Sequence, residues 1–142
     1  MDYVKGVAIG LVYFLIFFVV YFVVSLPLYA GVIWVFGEVS FSERWMSAIP
    51  YLGARGLQVA VCALAGASAA AWACSRLVNV RTVHIALATF LVLELGLLVA
   101  GVISGDIPEW VEIVFSLSAV LVGYFIGAEL MGKAVARQLR RS

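Results

Sequence analysis

Charge is scarce in this 142-residue sequence: Lys and Arg number 9, Asp and Glu 8, and charged residues make up 12% of the chain. A soluble protein of this size covers itself with polar groups and carries about 25% charged residues, so a water-soluble globular fold is excluded. The formal net charge of +1 supplies no general attraction to nucleic acid. Cysteine is limited to Cys62 and Cys74. On one helix these two lie about 18 Å apart, beyond the reach of a disulfide, and neither belongs to a CxxC or Cys/His ligand set. They read as packing thiols. Also missing are a Walker loop, HExxH, GxSxG and any pair of aspartates within an apolar run. The sequence therefore assigns no catalytic residue, metal or cofactor, and an enzyme is not the favoured reading. There is no repeat, low-complexity tract or linker, so residues 1–142 read as one domain.

What is abundant is apolar residues, at 65% of the chain with a mean hydropathy of +1.15. Four runs approach or exceed the length of about 20 residues needed to cross a bilayer: 4–36, 51–75, 83–104 and 110–131. None shows the alternating polarity of a transmembrane barrel strand, so each is expected to be a helix. The predicted fold is all-α, an integral membrane four-helix bundle. The first run is too long for the apolar core of a cleaved signal peptide and reads as a retained span. As a helix it would extend about 50 Å against a hydrocarbon core of about 30 Å. Pro27 within it removes a backbone donor, which predicts a kink or break there.

Basic residues orient the spans. Lys5 precedes the first, Arg76 and Arg81 link the second and third, and Lys133, Arg137, Arg140 and Arg141 follow the fourth. The two remaining links are richer in acids, with Glu38, Glu43, Arg44 and Arg55 in one and Asp106, Glu109 and Glu112 in the other. The positive-inside rule then places both termini in the cytoplasm, in agreement with an even number of spans, and the expected location is a bacterial inner membrane. Trp34, Trp45, Tyr51 and Trp110 form an outer aromatic belt, with Trp72 at the inner surface. The basic tail 132–142 is expected to contact anionic lipids at the cytoplasmic face through Lys133, Arg137, Arg140 and Arg141.

Glu94 is the most informative residue, because it falls near the middle of the third run. A charge at that depth costs at least about 2.5–3.5 kcal/mol, so the carboxyl should face the bundle and find a partner or keep its proton. Two roles follow: a proton or cation relay, or a helix-joining hydrogen bond to Ser68, Ser116, Ser118, Tyr21 or Tyr124. On the helical wheel Leu87, Phe90, Gly101 and Gly105 lie near Glu94, which does not by itself fix the direction of that face. Glu129 and His84 are weaker relay candidates. Glu129 sits four residues before Lys133, the spacing of an ordinary helix-surface pair, and His84 lies at the start of its span, too far along the axis to touch Glu94. Arg55 is expected to snorkel to the outer surface or to pair with Glu38 or Glu43. Asp106, Glu109 and Glu112 suit the start of a helix headed by Pro108 better than a cation site.

Small residues mark where backbones approach: Gly66 and Ala67 in the second run, Gly101 in the third, Gly123 and Gly127 in the fourth. The first run instead carries aromatic rows, Tyr13, Phe17, Tyr21 and Phe14, Phe18, Phe22, suited to lipid or to a partner protein. The leading functional expectation is a non-catalytic accessory or assembly subunit of a larger membrane complex. The alternative is a small homo-oligomeric proton- or cation-coupled transporter or channel built on Glu94. Both call for a membrane-protein partner or self-association.

Overall fold

A computed structural model of the chain describes residues 1–36, 49–104 and 110–142. These residues form four helices: α1 (Asp2–Phe36), α2 (Ile49–Cys74), α3 (Val80–Ile103) and α4 (Trp110–Arg141). Among the described residues there is no strand. Each helix is long and apolar enough to cross a membrane, which makes the chain a multi-pass membrane protein. The helices cover the four apolar runs, and α4 continues through the basic tail to Arg141.

Each helix contacts two neighbours closely: α1 packs on α2 and α3, and α4 packs on the same two. The pairing of residues fixes the directions. Ile9 meets Cys74 and Phe17 meets Gly66, so α1 and α2 are antiparallel. Gly6 meets Ile85 and Gly10 meets Thr89, so α1 and α3 are parallel. Phe90 meets Gly123 and Leu87 meets Gly127, so α3 and α4 are antiparallel. The beginning of α1 and the end of α4 thus lie at the same end of the bundle.

The packed core is concentrated toward that end. Ile9, Tyr13 and Phe17 of α1, the row Ala63, Ala67 and Ala71 of α2, Ala86, Leu87 and Phe90 of α3, and Ala119, Val120, Met131 and Val135 of α4 are all buried. Small residues on α2 let the large rings of α1 and α3 fill the centre. The Phe90 ring stands edge-on to both Tyr13 and Phe17, each with centroids 5.0 Å apart, an arrangement that aligns ring edges with ring faces. The Tyr13 hydroxyl crosses the bundle and donates to the Gly123 carbonyl at 2.6 Å. Of the first aromatic row, then, Tyr13 and Phe17 are internal. Phe18 and Phe22 of the second row are exposed, as a lipid-facing row requires.

The tight α2–α3 turn is set by local chemistry. Asn79 caps α3: its Oδ1 accepts from the Thr82 amide at 2.9 Å, while the Asn79 amide donates to Thr82 Oγ1 at 2.6 Å. This reciprocal capping box satisfies two backbone donors at the helix start. Val78 and Thr82 are buried beside it, tying the turn to the core.

The break expected at Pro27 does not occur, since α1 is one helix from Asp2 to Phe36. Proline deprives the preceding turn of one hydrogen bond, and membrane helices tolerate this when nearby groups occupy the exposed carbonyls. Ser25 Oγ donates to the Phe22 carbonyl at 2.8 Å and Gln58 Nε2 of α2 approaches the Ser25 carbonyl at 3.5 Å, on either side of the Val23 carbonyl that Pro27 leaves without its helical donor.

Candidate functional site

Glu94 stands one turn beyond Phe90, the last buried residue of α3. From there to Ile103 the helix has no buried residue, with Val92, Leu97, Val99 and Ile103 all more than half exposed. The carboxyl therefore sits where α3 leaves the packed core. It is half-buried and lines a cavity of about 130 Å³ with Phe17, Phe18 and Tyr21 of α1 and Ser116, Ala119 and Val120 of α4. Among the described residues it makes no hydrogen bond or ion pair. The cavity has room for a small number of water molecules beside the carboxyl. Chemically, the site holds one carboxyl, one phenol and one hydroxyl in an aromatic-walled recess partway along α3. It suits hydrogen bonding or proton exchange with a group brought from outside the chain.

Of the partners expected for Glu94, only Tyr21 and Ser116 share its cavity. Ser118 donates to the Val114 carbonyl at 2.8 Å, Ser68 faces a cleft between α2 and α4, and Tyr124 lines a groove with His84. Leu87 and Phe90 are buried in the core, which settles their direction. Gly101, expected to admit a neighbouring helix, has open space where a Cβ would stand, with nothing within 4 Å. It lies on the stretch of α3 after Phe90 that has no buried residue.

The other glycines of that set lie directly against atoms of neighbouring helices. A Cβ on Gly66 would lie 2.9 Å from the Phe17 carbonyl oxygen. One on Gly123 would lie 2.9 Å from the Phe90 ring, and one on Gly127 would lie 2.5 Å from the Tyr13 hydroxyl. Ala67 is wholly buried. Gly6 and Gly10 make similarly close approaches to Ile85 and Thr89.

His84 is exposed and shares no cavity with Glu94; it faces the α3–α4 groove on one side and Asp2, Tyr3 and Arg81 on the other. Glu129 pairs with Lys133 at 2.6 Å, with both side chains 60% exposed, an i,i+4 contact on the helix surface. Lys133 and Arg137 line a cleft of about 410 Å³ with Trp72, Ser68 and Ser75, while Arg140 and Arg141 are exposed at the end of α4. Asp106 and Glu109 lie outside the described residues, and Glu112 is exposed in the first turn of α4. Among the described residues no three His, Cys, Asp or Glu side chains come together as a metal site.

One polar group escapes sequence reading altogether. Gln58 is only 5% exposed and takes a hydrogen bond from Arg55, so Arg55 does not simply snorkel away. The signal available was the spacing: an Arg and a Gln at i,i+3 within an apolar run share one helix face.

No protein-family model, no curated protein and no solved structure matches this chain.

Proposed function

We propose that this protein is a non-catalytic accessory or assembly subunit of a larger membrane complex, and that the Glu94 recess is where it meets a partner helix. The observation that carries this reading is a half-buried carboxyl, in the middle of an apolar span, that shares a cavity with α1 and α4 yet has no hydrogen-bond partner among the described residues. A polar group in hydrocarbon gains most from a partner that satisfies it, and among the described residues none hydrogen-bonds this carboxyl. The centre of the bundle also argues against a pore through one copy, because Tyr13, Phe17 and Phe90 fill it. In this reading the chain lies in a bacterial inner membrane with both termini cytoplasmic. The basic residues Lys133, Arg137, Arg140 and Arg141 rest on anionic lipid, and α1 bends at Pro27 towards the outer interface.

Mild extraction from native membranes, followed by mass measurement and identification of every component, tests the proposal. The expected result is co-recovery of a larger, different polypeptide at fixed stoichiometry, reduced by Glu94→Leu. Recovery of this chain only with copies of itself overturns the subunit reading. In that case proton- or cation-coupled flux in proteoliposomes, compared between the unaltered protein and Glu94→Gln, decides whether a ring of Glu94 carboxyls forms a transport route.

A further inference from the structure

At the end of the bundle opposite the chain termini, α1 and α2 enclose a cleft of about 220 Å³ lined by Tyr21, Phe22, Ser25, Leu26, Tyr29, Arg55 and Gln58. We propose that this cleft binds the phosphate of a phospholipid headgroup, held by the Arg55 guanidinium.

The guanidinium is positioned from two sides. Its Nη1 donates to Gln58 Oε1 at 2.6 Å, and its central carbon lies 4.6 Å from the centroid of the Tyr29 ring. Gln58 is itself fixed, being 5% exposed and directed through Nε2 towards the Ser25 carbonyl. A guanidinium has five N–H donors in a planar fork, and Gln58 occupies one. Among the described residues no carboxylate lies within ion-pair distance of Arg55. The remaining donors call for an acceptor with several oxygens and negative charge, for which phosphate matches the fork bidentately.

Depth and lining select a lipid as the source. Tyr29 lies eight positions beyond Tyr21, about 12 Å along the helix, while half the hydrocarbon thickness is about 15 Å. Since Tyr21 shares the mid-membrane cavity of Glu94, Arg55 and Tyr29 stand near the boundary where phosphates begin. Phe22 and Leu26, each 55% exposed, form the cleft's apolar rim and offer a surface for an acyl chain beside the headgroup. A free phosphate would make no use of that rim.

The test uses the full chain, purified in detergent, stripped of lipid and titrated with phosphatidylglycerol, phosphatidylethanolamine or inorganic phosphate. Bound lipid is counted by native mass spectrometry. The expected result is one retained phospholipid per chain, with affinity falling about tenfold to a hundredfold in Arg55→Gln, the loss that follows from removing a charge-assisted hydrogen-bond donor. Tyr29→Leu keeps the guanidinium charge and is expected to weaken binding by a smaller factor. It also supplies a readout should Arg55→Gln fail to fold. Arg76→Gln, at the other end of the bundle, is expected to leave binding unchanged. Equal lipid retention by the unaltered protein and a folded Arg55→Gln variant overturns the proposal, as does binding of inorganic phosphate with no preference for lipid. Retention that appears only after Glu38→Gln and Glu43→Gln are combined also overturns it, because a carboxylate of the α1–α2 link would then be the natural partner of Arg55.

Discussion

Single residues divide into those the bundle confines and those it leaves open, and glycine makes the contrast measurable. Gly127→Ala places a methyl group 2.5 Å from the Tyr13 hydroxyl and 2.9 Å from Leu87 Cδ2. Tyr13 is wholly buried and hydrogen-bonded to Gly123, so it has little freedom to yield. Overpacking of this kind costs about 1–3 kcal/mol, which exceeds the gain of up to about 1 kcal/mol from replacing a helical glycine. Gly101→Ala meets nothing within 4 Å and keeps only the gain. Unfolding titrations in mixed detergent micelles should therefore show loss of stability for Gly127→Ala and none for Gly101→Ala.

Tyr13→Phe removes a hydroxyl that crosses the bundle to the Gly123 carbonyl. Its expected cost is about 0.5–1.5 kcal/mol in the same assay, since the Gly123 carbonyl sits within a helix and keeps access to its backbone partner. Glu94→Gln should leave stability nearly unchanged, because the carboxyl has no hydrogen-bonded partner among the described residues. A loss above about 1.5 kcal/mol would show that Glu94 is a structural tie of the isolated chain. Sequence reading found Glu94 from its depth alone, since an acid amid apolar residues is visible as text. It missed Gln58, because an uncharged amide stands out little in a hydropathy pattern and its burial depends on which face of α2 turns inward.

At the scale of the elements, α2 and α3 show how composition becomes packing. The alanines of α2 present almost no side-chain volume, so α2 occupies the most buried position and leaves space for Tyr13, Phe17 and Phe90. The start of α3 is defined by Asn79 and Thr82 rather than by the apolar run, which begins at Val83. Asn79→Ala removes the cap and should lower stability by about 0.5–2 kcal/mol, with amide hydrogen exchange rising in the first turn of α3 and not in its second half. Pro27 carries a different lesson. Proline costs the helix one backbone hydrogen bond, here at the Val23 carbonyl, and α1 continues through it, with Ser25 and Gln58 placing donors on the flanking Phe22 and Ser25 carbonyls. The first of these contacts is local and readable; the second joins residues 33 positions apart and is not.

For the molecule as described, the buried core lies toward the end holding the chain termini, and α3 has no buried residue beyond Phe90. Both termini on one side of the membrane is the expected topology. Reporter fusions or single-cysteine labelling at residues 2 and 142 should give the same side in intact cells; opposite sides would contradict the even number of spans. The buried thiols Cys62 and Cys74 should stay unreactive to a membrane-permeant maleimide until the bundle is unfolded, since both are fully covered.

The sequence by itself determined the solvent, the number of spans and their helical state. Those follow from how many consecutive apolar residues the chain holds and from the demand that every backbone group in hydrocarbon be satisfied within its own segment. It also exposed Glu94, because desolvating a charge is costly wherever the helix faces. Only the tertiary structure decided which faces meet. Rotations of each helix about its axis and their mutual offsets rest on side-chain fit between segments far apart in sequence, as when Tyr13 reaches Gly123 and Phe17 rests on Gly66. That fit placed Tyr13 and Phe17 inside, left Gly101 open, and brought Arg55, Gln58 and Tyr29 into one cleft.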